Sequence, residues 1–143
     1  MVADVELDRE TIEMLPPADP CPLLLLLPPF GCPTGAVYDA FDQTLAGSAH
    51  DPDYARVRAL TQLPLHPQSK LFNDLADPAC RVGPKLRRVL DAAMKTGHRA
   101  HVTGSGAALF ILADTTDAST LAEQRRAIEN ATACAVILTY TAG

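Results

Sequence analysis

Residues 99–113 constrain the chain more than any other stretch. A β-like run over 99–103 enters Thr103-Gly104-Ser105-Gly106-Ala107, and an apolar β-like run over 107–113 leaves it. Two short runs joined by a glycine-bearing turn read as neighbouring antiparallel strands, a tight hairpin. Glycine admits backbone angles closed to other residues and lets a ligand approach the main chain. Successive N–H groups in such a turn also form an anion-binding concavity. On this turn alone the hairpin is the preferred reading. The glycine loops of dinucleotide and Walker sites open a helix, whereas this one opens a strand.

The remaining elements arrange themselves around that hairpin. Five leucines, 23–27, are bracketed by Pro22 and Pro28. They fall far short of the ~20 residues needed to span a bilayer and read as a central buried strand. Residues 1–22 are a proline-punctuated lead-in segment with one edge strand. The prolines of 28–33 dictate an ordered loop, because proline fixes φ and removes donors. Thr34 is placed to cap a helix running from Gly35 to about Leu45, with Val37, Phe41 and Leu45 on one side and Gly47 ending it. A second helix is expected over 52–63, then a short turn over 69–75. The clearest helix spans 84–96: Pro84 opens it, Leu86, Val89, Leu90, Ala93 and Met94 mark one face, and Gly97 closes it. A helix over 119–131, with Thr120 and Glu123 at capping-box spacing, and a strand over 133–141 complete the chain. Apart from the added helical material after the first strand, this is the split β-α-β order of a ferredoxin-like sandwich. The expected fold class is α+β: a four-stranded, mainly antiparallel sheet with helices on one face, its centre formed by the first strand and 107–113.

Composition narrows what such a fold does. At 143 residues the chain is a single domain, 1–143. Its net charge of −5 disfavours general binding to nucleic acid, and the basic cluster Arg81, Lys85, Arg87, Arg88, Lys95 and Arg99 reads as a solvated helix face. The acidic start (Asp4, Glu6, Asp8) lacks the basic opening of a signal peptide, so a cytoplasmic protein without membrane attachment is expected. Cys21, Cys32, Cys80 and Cys134 form no C-x-x-C pair, which suits reduced thiols. His98 and His101 would point to opposite faces of a strand, so no metal site is expected.

Three islands carry a resemblance. They are Leu26-Leu27-Pro28-Pro29-Phe30-Gly31-Cys32-Pro33-Thr34-Gly35-Ala36-Val37-Tyr38, then Leu71-Phe72-Asn73-Asp74-Leu75, then Thr103-Gly104-Ser105-Gly106-Ala107 with its apolar strand. In this order and spacing, from about residue 5 onwards, the chain resembles the C-terminal domain of the 4-diphosphocytidyl-2-C-methyl-D-erythritol kinases. These belong to the galactokinase, homoserine kinase, mevalonate kinase and phosphomevalonate kinase (GHMP) superfamily. The glycine loop resembles the superfamily at large; the proline loop and Asn-Asp-Leu narrow it to this member.

The resemblance implies a kinase that moves the γ-phosphate of ATP, with Mg2+, to a hydroxyl of a cytidine-diphosphate methylerythritol in the non-mevalonate route to isoprenoid precursors. It places Thr103, Gly104, Ser105, Gly106 and Ala107 beside the phosphates. Thr34, Gly35 and Tyr38 fall on the substrate side, with Tyr38 against the cytosine; read from the residues alone, Tyr38 packs its ring on the sheet. Asn73 and Asp74 become a structural element behind the cleft, where the residues alone suggest local backbone capping. The glutamate often following this motif's leucine is replaced by Ala76.

The family's N-terminal ATP-binding domain, with its Gly-Ser phosphate loop and catalytic Lys and Asp, has no counterpart in the 143 residues. The expectation is therefore the second half of a kinase, with no catalytic residue of its own, no tightly bound cofactor and no turnover in isolation. Self-association would follow from an apolar face left uncovered. The alternative is a non-catalytic ferredoxin-like module for ligand binding or oligomerisation.

Overall fold

The computed structural model describes residue 17 and residues 19–45, 54–60 and 70–142. The lead-in segment before residue 17, the stop at Gly47 and both ends of the helix expected over 52–63 lie outside the described residues.

The leucine run forms β1 (Pro22–Leu27), followed by α1 (Thr34–Leu45), α2 (Tyr54–Leu60), α3 (Ala76–Val82), α4 (Pro84–Met94), β2 (His101–Val102), β3 (Leu109–Leu112), α5 (Ala118–Thr132) and β4 (Ala135–Tyr140). The sheet order is β2-β3-β1-β4 and its pairings are antiparallel, which places β1 and β3 at the centre as the sequence implies. Leu24 stands opposite Ile111 and Leu26 opposite Leu109 across one pairing, and Leu26 opposite Val136 across the other. These residues and Val102 point to the helices and are buried with Val37, Leu86, Val89 and Ile128. Alternation sends Leu23, Leu25, Leu27, Phe110 and Ile137 to the opposite face. The helices with buried residues all feed the one core, so the α+β arrangement with helices on one face holds.

Several boundaries differ from expectation, each for a local reason. The hairpin's first strand shrinks from 99–103 to His101–Val102: Thr103 passes into the turn, where its N–H still meets the Ala108 carbonyl, and the Val102 carbonyl, on the edge away from β3, is taken by the Asn73 amide at 2.9 Å. Thr34 does not cap α1. It is the first helical residue, and the ladder begins with Val37 N–H donating to the Pro33 carbonyl at 3.1 Å. The cap of α5 is Asp117 rather than Thr120. The carboxylate accepts from the Thr120 N–H at 2.8 Å and from the Ser119 and Thr120 hydroxyls at 2.6 and 2.8 Å. Met94 is the last residue of α4 and 45 % exposed, since Leu86, Val89 and Ala93 already complete the buried stripe.

Helix α3 was not anticipated. Its Pro78 sits in the first turn, where the missing N–H has no helical partner to lose, and Gly83 separates it from α4. Helix α2 buries none of its residues, but the Arg56 guanidinium lies 3.8 Å over the Phe72 ring and ties it to the segment before α3.

Candidate functional site

The three sequence islands meet at one end of the sheet. β1 runs into the proline loop there, and the hairpin turn joins β2 to β3 at the same end, since Leu26 faces Leu109. The turn is a hairpin, as its residues suggest on their own. Thr103 N–H donates to the Ala108 carbonyl at 3.0 Å, and Gly106 N–H to the Thr103 carbonyl at 2.8 Å.

The two glycines of the turn have different surroundings. Gly104 has φ +48° and open space where a side chain would begin. Gly106 has φ +87°, and a Cβ there would lie 3.0 Å from Leu86 Cδ2 and 3.5 Å from Cys32 Cβ. Gly106 is thus seated on α4 and the proline loop, while Gly104 turns bare backbone outward. Gly31 and Gly35 likewise have open space at their Cβ positions.

Two contacts fix the turn against the other islands. The Thr34 and Ser105 hydroxyls share a hydrogen bond at 3.0 Å across 71 positions of sequence. Asn73 Nδ2 donates to the Val102 and Gly104 carbonyls at 2.9 and 2.7 Å, while its Oδ1 accepts from the Leu75 N–H at 3.0 Å. Asn73 therefore buckles the loop before α3 to the glycine turn, besides the local capping its residue type suggests. Asp74, one residue on, is exposed.

Tyr38 lies one turn beyond Thr34 on α1, and Gly35 precedes it by three residues, so the three share a face. Tyr38 is 50 % exposed, whereas neighbouring Val37 takes the core position, so the ring does not pack on the sheet. Beneath the site, burial pushes the Cys32 thiol above its usual range, and its Sγ lies 3.9 Å from the Ala79 carbonyl. Cys80, on α3, is also pushed up by burial, with Arg87 opposing part of the effect. Sequence reasoning missed this floor of Cys32 and Leu86, and the loop-holding role of Asn73. The i to i+4 hydrophobic pattern announces Leu86 as core, but nothing local in the sequence shows what rests on it.

Thr34, Gly35, Thr103, Gly104, Ser105, Gly106 and Ala107 carry no formal charge. What they present is main-chain N–H groups and hydroxyls, groups whose chemistry suits orienting an anion rather than moving a proton. Among the described residues no group of three His, Cys, Asp or Glu side chains comes together to hold a metal ion. A separate depression of about 600 Å³, lined by Ala40, Gln43, Thr44, Arg81 and Val82, lies along the later half of α1 and includes none of the site residues. No helix among the described residues is long and apolar enough to cross a membrane.

The family described as GHMP kinases C terminal matches residues 59–130. A solved crystal structure of 4-(cytidine 5'-diphospho)-2C-methyl-D-erythritol kinase is similar in fold, with a TM-score of 0.62 and 23 % identity. The match covers 93 % of this chain and 46 % of that kinase, so the chain spans less than half of its length. No curated protein matches the chain.

Proposed function

The chain belongs to the GHMP kinase C-terminal family, and from that premise we propose that it supplies one wall of an ATP-dependent small-molecule kinase site. The observation that carries the proposal is the convergence just described: Thr34 on Ser105, and Asn73 on both Val102 and Gly104. A hairpin needs neither contact to close; a turn that must hold one shape in front of a charged ligand needs both.

In this reading the N–H groups of Gly104, Ser105 and Ala107, which the turn does not use itself, serve the phosphates, and whichever of the Ser105 and Thr34 hydroxyls accepts in their shared bond donates its own proton to the same ligand. The bare backbone at Gly104 gives phosphate oxygens the close approach that a Cβ would deny. Phosphoryl transfer rests almost wholly on positioning and electrostatics, so a wall without a catalytic base is a complete contribution. The acceptor alcohol is a cytidine-diphosphate methylerythritol, as acted on by the kinase of similar fold, and the exposed Tyr38 ring stacks on its base. Such stacking is worth about 1–3 kcal/mol in nucleic-acid complexes. The catalytic residues and the ligands of Mg2+ come from a preceding kinase domain. The setting is the non-mevalonate isoprenoid route in the cytoplasm.

The test is an amide chemical-shift titration of the labelled chain with the cytidine-diphosphate substrate and, separately, with Mg·ATP. Shifts confined to 34–38 and 103–107 support the proposal. Shifts elsewhere, with none in these two segments, overturn it and favour the non-catalytic module.

A further inference from the structure

Among the described residues the two edges of the sheet are unlike. β2 is two residues long, but β4 presents six residues, Ala-Val-Ile-Leu-Thr-Tyr, with no charge, proline or glycine among them. Long uncharged edges are what natural proteins usually blunt with lysine, proline or a bulge, because their free N–H and C=O groups template further pairing. We propose that β4 is a pairing edge, and that two copies of this chain join through it into one continuous antiparallel sheet.

The register says which groups have no partner among the described residues. Thr141 N–H donates to the Cys21 carbonyl at 2.9 Å, one step beyond the Pro22–Tyr140 pair, so Thr141 turns its backbone groups towards β1. Alternation then turns Ala135, Ile137 and Thr139 to β1, and Val136, Leu138 and Tyr140 outward. The far side of β1 agrees: Ala113 N–H donates to the Pro22 carbonyl, so the even-numbered residues of β1 serve β3 and the odd-numbered ones serve β4.

The outward set is complementary to itself. A two-fold axis normal to the sheet keeps both sets of helices on one side, and paired residues must then share a face. Centring the register on Leu138 meets that condition. Leu138 pairs with its own copy, and Val136 pairs with Tyr140 in both directions, so every outward residue enters a reciprocally bonded pair. The same register covers apolar side chains that the described fold leaves in solvent: Ile137, Leu138 and Tyr140 are 47, 36 and 57 % exposed. A second copy is the favoured occupant because one strand then satisfies the other with no unpaired group left between them.

Light scattering of the 143-residue chain at submillimolar concentration, with residue-resolved amide exchange, tests this. The expected mass is twice the 15.2 kDa of one chain. The amides of Val136, Leu138 and Tyr140 should gain protection as concentration rises, while those of Ile137 and Thr139 stay protected throughout. Leu138→Lys sets two ammonium groups side by side at the axis and should yield single chains with unchanged circular dichroism. Leu138→Pro removes an outward N–H without touching the β1 ladder and should do the same. A wild type of single-chain mass overturns the proposal, as does a folded Leu138 variant that remains paired. Loss of pairing in Leu27→Lys, on the open face of β1, overturns it in favour of face-to-face stacking.

Discussion

Gly104 and Gly106 stand two residues apart in one turn, yet a methyl group would meet quite different surroundings at each. At Gly104 the cost is the left-handed backbone alone, about 1–2 kcal/mol. At Gly106 the strained angle is joined by the 3.0 Å approach to Leu86, and the loss should reach about 2–4 kcal/mol. Gly106 therefore reports on the fold, and Gly104 is the position that separates fold from binding. Gly104→Ala should keep most of its thermal stability yet lose the ligand-induced shifts of 103–107. Undiminished shifts in that variant would reduce the turn to a hairpin. Asn73 gives the complementary test. Asn73→Ala removes a part-buried buckle and should cost about 1–3 kcal/mol in urea unfolding. Asn73→Asp should cost more, because it directs a carboxylate at the Val102 and Gly104 carbonyls. An Asn73→Asp variant as stable as the wild type would mean that the amide donors contribute nothing.

At the scale of elements, α5 depends on a side chain that lies outside it. The Ser119 hydroxyl, the Thr120 N–H and the Thr120 hydroxyl hold the Asp117 carboxyl at about 2, below its ordinary 3.8. A carboxyl whose pKa is depressed by folding stabilises the fold above its unfolded value, and that stabilisation fades as pH falls through the folded one. The thermal midpoint should thus fall between about pH 4 and pH 2, and Asp117→Asn should flatten that acid leg. An unchanged leg would assign the acid sensitivity to other carboxyls. Sequence reasoning found α5 but gave its cap to Thr120, because Ser, Thr and Asp cluster over 115–120 and several spacings fit. The central strands were legible for the opposite reason: unbroken leucine at 23–27 and Leu-Phe-Ile-Leu at 109–112 leave no other place for so much apolar surface. The hairpin was legible too, though what holds its outer edge was not, since the Asn73 amide that takes the Val102 carbonyl stands 29 positions away. Helix α3 was hidden because seven residues containing a proline carry too little periodicity to stand out. The site followed the same rule: its segments could be read singly, but their joining depends on hydroxyls and an amide meeting across the fold.

At the scale of the whole molecule, the candidate site and the β4 edge are separated in a way that has consequences. Neighbouring strands lie about 4.8 Å apart, so β4 stands about 10 Å from β3 and about 14 Å from β2 across the sheet. The glycine turn sits at the sheet end where β1 finishes and β4 begins, since Leu27 faces Ala135. Antiparallel pairing of two β4 strands reverses the second copy, so its glycine turn lies at the opposite end of the joined sheet. Neither site is covered by the other copy, and neither borrows a residue from it. Pairing and ligand binding should then be thermodynamically independent, because a ligand shifts an association equilibrium only through differential affinity for its two states. Titrating the cytidine-diphosphate substrate into wild type and into Leu138→Lys should give the same dissociation constant and the same shifts at 34–38 and 103–107. Saturating ligand should leave the pairing constant unchanged in sedimentation. A change in either constant would place the partner copy within reach of the site and move the pairing surface from β4 towards the end of the sheet where the turn stands. Phosphotransfer is a separate matter, since the loop offers no proton-transfer group and the chain spans less than half of the kinase it resembles in fold. Paired or single, the 143-residue chain should turn over no ATP in a coupled assay, and turnover that survives purification would require catalytic groups within the chain itself.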